Sequence, residues 1–70
     1  MSYEITTNDN NTLKVCYTLG EAFSFVDDYC KINKAKYGLG NIYHCLDNKV
    51  GIDIYNDRNH CKQLYISYID

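Results

Sequence analysis

Two histidines and four cysteines are the side chains here best suited to hold a metal or attack an electrophile. Each histidine directly precedes a cysteine, in "YHC" at 43–45 and "NHC" at 59–61. Thiolates and imidazoles bind Zn²⁺ four at a time and tetrahedrally in structural sites. The usual signature is a C-x₂-C knuckle, whereas these cysteines stand at 16, 30, 45 and 61, so any site has to be assembled by the fold. The size of the chain gives such a site a purpose. Seventy residues bury only about 60% of their unfolded surface, and domains this small often need a metal, disulfides or a partner subunit as a staple.

The same side chains permit other chemistry. A Cys–His nucleophile needs an activated thiolate beside an imidazole and a third group to orient it. Neighbours on a strand point to opposite faces, so neither dipeptide supplies that geometry. Four cysteines also allow three disulfide pairings, which a reducing compartment disfavours. Free cysteines serve equally well as small core hydrophobes. "YGLGN" at 37–41 follows a helical pattern and precedes a strand, whereas phosphate-binding glycines precede a helix. It reads as a helix stop. No catalytic motif is present, and the chain is expected not to be an enzyme.

Positioning these groups falls to the elements. "SYEIT" and "LKVCYT" alternate apolar and polar residues around the polar cluster "TNDNNT". They predict a hairpin with Leu13, Val15 and Tyr17 on one face and Lys14, Cys16 and Thr18 on the other. "TLGEAFSFVDDYCKINKAKYG" carries the one helical stripe: Leu19, Ala22, Phe23, Val26, Cys30, Asn33 and Tyr37. Thr18 and Glu21 form a capping box. Lys31, Lys34 and Lys36 complement the helix dipole, and Gly38 suits the left-handed residue that ends a helix. "NIYHCL", "KVGIDIY" and "KQLYISYI" read as three further strands, joined by "DN" at 47–48 and by "NDRNH". Ile42, His44 and Leu46 share one face, as do Val50, Ile52 and Ile54, and Leu64, Ile66 and Tyr68. The spacing predicts an α+β fold, a two-layer ββαβββ domain over residues 1–70 with a single helix on one face of a mainly antiparallel sheet.

This layout selects among the metal donors. His44 shares its face with Ile42 and Leu46, towards the helix, and Cys45 then faces away. A helix descending from Leu19 at about 1.5 Å per residue puts Cys30 roughly 16 Å down, where the "NDRNHC" connection also lies. His60 and Cys61 sit at a loop-to-strand junction, where alternation is relaxed. The expected ligand set is Cys30, His44, His60 and Cys61, holding a structural zinc.

Tyrosine, present eight times, marks a second candidate surface. Tyr43, Tyr55 and Tyr65 fall on the sheet face away from the helix, with Asp53 beside them. A sheet covered by one helix leaves that face open, and tyrosine there supplies large contact area with a polar tip. Tyrosine also forms cross-strand pairs on solvated sheets. Glu21, Asp27, Asp28, Asp47, Asp53 and Asp57 add acidic character suited to a basic groove of a partner.

Composition narrows the classes. The 46% hydrophobic content argues against disorder. Net charge of −2 lacks the basic face of a nucleic-acid-binding domain, so no direct nucleic-acid contact is expected. The opening "MSYEITTNDN" has no basic segment followed by an apolar one, and no apolar run approaches a membrane span. The expectation is a cytoplasmic protein with no membrane contact. In size, in ββαβββ layout and in its "YHC"/"NHC" pair, the chain resembles phage- and mobile-element-encoded anti-CRISPR proteins, including zinc-containing inhibitors of Cas9. That resemblance implies a stoichiometric binder acting in the host cytosol, which docks on Cas9 and blocks target-DNA loading or cleavage. A positively charged nucleic-acid channel would suit an acidic, tyrosine-bearing partner. The alternatives are a small zinc-dependent or thiol-reactive enzyme, and a phage structural or regulatory protein that oligomerises through its open sheet.

Overall fold

Turn chemistry and alternation set the strands. The computed structural model describes residues 1–58 and 60–69; Asn59, in the "NDRNH" connection, and Asp70 lie outside the described residues. β1 (Ser2–Thr7) and β2 (Thr12–Cys16) form the first hairpin, followed by α1 (Leu19–Ile32) and a two-residue β3 (Ala35–Lys36). A single 3₁₀ turn (Leu39–Asn41) leads into β4 (Ile42–Leu46), β5 (Lys49–Asn56) and β6 (Cys61–Ile69). The sheet order is β2-β1-β6-β5-β3, with β4 also paired to β5, and every pairing is antiparallel. The fold is α+β, one helix on a mainly antiparallel sheet.

Pairing β6 with β1 places the two halves of the chain side by side. The segment after β2 must then travel from one edge of the sheet to the other. The 14 residues of α1 span about 21 Å, close to the roughly 19 Å across five strands. The helix therefore crosses the sheet diagonally, from the β2 corner to β3, and does not descend along the strands. It buries Ala22, Val26 and Cys30, spaced by four, against Ile5, Cys16, Ile52, Ile54, Leu64 and Ile66. No helix among the described residues is long and apolar enough to cross a membrane.

At the start of the helix, Glu21 N–H donates to Thr18 Oγ1 (3.1 Å) and the Thr18 hydroxyl donates to Glu21 Oε1 (3.2 Å). The helix ends at Ile32, well before Gly38. The Asn33 amide side chain donates to Tyr29 O (2.8 Å), Lys34 takes the left-handed conformation (φ 52°), and Ala35–Lys36 turn back to pair with Asn56 and Tyr55. Competition for a backbone carbonyl and the gain of sheet pairing stop the helix, so Gly38 is not its cap.

Two β-bulges change predicted faces. One in β4 sets His44 opposite Val50 but Leu46 opposite Lys49, so Leu46 leaves the inward face and is exposed. The other sets Ile5 opposite Lys14 and Thr6 opposite Thr12, leaving Leu13 as the extra residue. Leu13 packs against the core while Val15 and Tyr17 are exposed, and Cys16 is the buried residue of β2.

Candidate functional site

The cysteines and histidines are dispersed by this topology. Cys30 sits on the buried stripe of α1, and burial, then the charge of Asp27, pushes its thiol up. A thiol held protonated is a poor ligand, since metals bind the thiolate. His44 is exposed on β4 opposite Val50, and Cys61 opens β6 opposite Tyr55. The five residue steps from Val50 to Tyr55 separate them by roughly 16 Å along the sheet, against about 2 Å from zinc to each ligand. Cys16 is buried and Cys45 lies at the β4 bulge. Among the described residues no group of three or more His, Cys, Asp or Glu side chains is close enough to hold a metal ion. The set Cys30, His44, His60 and Cys61 is therefore not brought together.

His60 and Cys61 do share a place. With Tyr29 of α1, Asn33 just beyond it, Asn56 and Lys62, they line a cavity of about 220 Å³ at the helix end. Asn56 organises its rim: its Oδ1 accepts from the backbone N–H of Arg58 (2.9 Å) and His60 (3.0 Å). The Lys62 ammonium lies 5.5 Å from the Tyr29 ring centroid.

The opposite face of the sheet is a more coherent construction. Strand register aligns Thr6, Tyr65, Gly51 and Tyr43 in one row across β1, β6, β5 and β4. Asp53 and Gln63 form the next row, and Cys61, Tyr55 and Lys36 the one after. Tyr43, Asp53, Tyr55 and Tyr65 therefore stand together on the uncovered face. Gly51 makes this packing possible, because a Cβ there would lie 2.5 Å from Tyr43 Cζ and 2.8 Å from its hydroxyl. The ring rests on bare backbone. A glycine between Val50 and Ile52 inside a strand was the sequence signal for that close approach.

Electrostatics tie the cluster together. Burial pushes the Tyr43 phenol up to about 12, aided by the charge of Asp53 and by the Tyr65 hydroxyl. Tyr55 is raised first by its hydrogen bond to the Cys61 thiol and then by that thiol's charge, with smaller contributions from burial and Asp53. The Tyr65 hydroxyl donates to Gln63 Oε1 (3.2 Å), and the Lys49 ammonium lies 4.5 Å from the Tyr65 ring centroid. Asp53 Oδ1 is buried and has no hydrogen-bond partner among the described residues. Buried polar atoms without a partner are few in folded proteins, and each calls for an explanation.

No family model, curated protein or solved structure matches this chain.

Proposed function

We propose that this protein is a non-enzymatic binding module that docks on a protein partner through the uncovered sheet face, with Tyr43, Tyr55 and Tyr65 as its contact area. The observation that carries this reading is the arrangement of that face. One helix covers one side of the sheet, and the other side groups three tyrosines around a carboxylate oxygen that has no donor among the described residues. Tyrosine is enriched at the energetic centres of interfaces because it offers large rigid area and a hydroxyl that can be re-satisfied across the contact.

The partner implied by the resemblance to anti-CRISPR proteins is Cas9, whose basic nucleic-acid channels complement a chain of net charge −2. Inhibition would then be stoichiometric, by occupying the surface where target DNA loads. The reading does not depend on a metal. The test adds increasing amounts of the purified protein to a Cas9–guide complex and follows target cleavage. Cleavage should fall to zero near a one-to-one ratio, and Tyr55→Ala or Tyr65→Ala should restore it. Full cleavage at excess inhibitor across a panel of Cas9 orthologues would remove Cas9 as the partner, and inhibition unchanged by either substitution would remove the face.

A further inference from the structure

We propose that the outer face carries a seat for one arginine side chain of the protein partner, formed by Asp53 between the rings of Tyr43, Tyr55 and Tyr65. This rests on the docking face proposed above and names the chemistry that the face selects.

Three observations converge on a guanidinium. Among the described residues Asp53 Oδ1 has no donor, although two cations of the chain itself, Lys49 and Lys36, stand on the same face. Lys49 is directed instead at the Tyr65 ring, 4.5 Å from its centroid. The face already attracts a positive charge through an aromatic ring, and it leaves Asp53 Oδ1 without a donor among the described residues. The third observation is shape. Gly51 allows the far end of the Tyr43 ring to approach the β5 backbone closely, two residues from Asp53. A planar cation can then stack on tyrosine while its edge donates to the carboxylate. Arginine does both at once, because its guanidinium is planar, weakly hydrated and fork-shaped. A lysine ammonium is a compact, strongly hydrated point charge and gains less from the ring faces.

The test titrates the ¹⁵N-labelled protein with N-acetyl-arginine amide and, separately, with N-acetyl-lysine amide. The arginine probe should give saturable shifts at residues 51, 53, 55 and 65 and bind roughly tenfold more tightly than the lysine probe. Asp53→Asn should weaken arginine binding by about the same factor. Tyr43→Leu, which keeps the carboxylate and removes a ring, should also weaken it. The spectra themselves report whether each variant is folded. Equal affinity for the two probes, shifts away from these residues, or a folded Asp53→Asn protein that binds arginine normally would each overturn the proposal. Failure of the docking face is read separately. Unchanged Cas9 inhibition by Tyr55→Ala and Tyr65→Ala removes the face, whereas loss in those variants with full inhibition by Asp53→Asn removes only the arginine seat.

Discussion

Gly51 and Tyr43 show how one missing side chain shapes a surface. The phenol owes its raised value, about 12, first to burial against the strand. Gly51→Ala should swing the ring away, because the added Cβ would meet its far end. The cost in stability should be small, about 1 kcal/mol, since the displaced group is a side-chain tip. The clearer readout is a spectrophotometric tyrosinate titration. Tyr43 and Tyr37, both near 12, should titrate late in the native protein, and in Gly51→Ala Tyr43 should lose that delay while Tyr37 keeps it. Tyr37 owes its shift first to burial and then to the hydrogen bond it donates to Asp27 (2.7 Å). Both phenols are raised above their unfolded values, so the stability they contribute is complete below about pH 10. It is lost as pH rises through 10 towards 12, and alkaline melting curves should show that fall. Asp53 adds a different strain: a buried carboxylate oxygen without a donor costs about 1–3 kcal/mol, which a docking partner can recover.

The elements were legible where pattern and packing agree. Alternation placed Ile52, Ile54, Leu64 and Ile66 inward, and all four are buried. Thr18 and Glu21 marked the helix start through their side-chain chemistry. The helix end was not legible, because it depends on Asn33 capturing the Tyr29 carbonyl and on β5 offering pairing to Ala35–Lys36. The face of Leu46 was lost to a bulge, which inserts a residue without changing local alternation. Of the expected metal donors, His60 and Cys61 share the cavity by the helix end, whereas His44 lies opposite Val50, far along β5 from the Tyr55–Cys61 pair, and Cys30 is buried in the core. Grouping Tyr43, Asp53, Tyr55 and Tyr65 needed only strand parity, but Gly51 as their support needed the observed register. Lys34, a non-glycine residue at φ 52°, offers a direct check on the helix end. Lys34→Gly should stabilise the protein by about 1 kcal/mol in chemical denaturation, and Thr18→Ala should destabilise it by about the same amount.

The whole molecule places one helix on one side of a sheet and leaves the other side uncovered. Its donors are spread across both sides, with Cys16 and Cys30 in the core and His44, His60 and Cys61 exposed. A chelator should therefore leave the melting temperature unchanged, whereas one equivalent of tightly held zinc and a large loss of stability on chelation would restore a metal staple. Docking through the tyrosine face is tested most directly by comparing two single variants for affinity towards a Cas9–guide complex by calorimetry. Tyr65 lies at the middle of the outer face, while Asp28 is exposed on the helix. Tyr65→Ala should weaken binding by about 2 kcal/mol or more, as at an interface hot spot, and Asp28→Lys should leave it unchanged. The opposite pattern, with Tyr65→Ala binding normally and Asp28→Lys losing the complex, would contradict docking through the sheet.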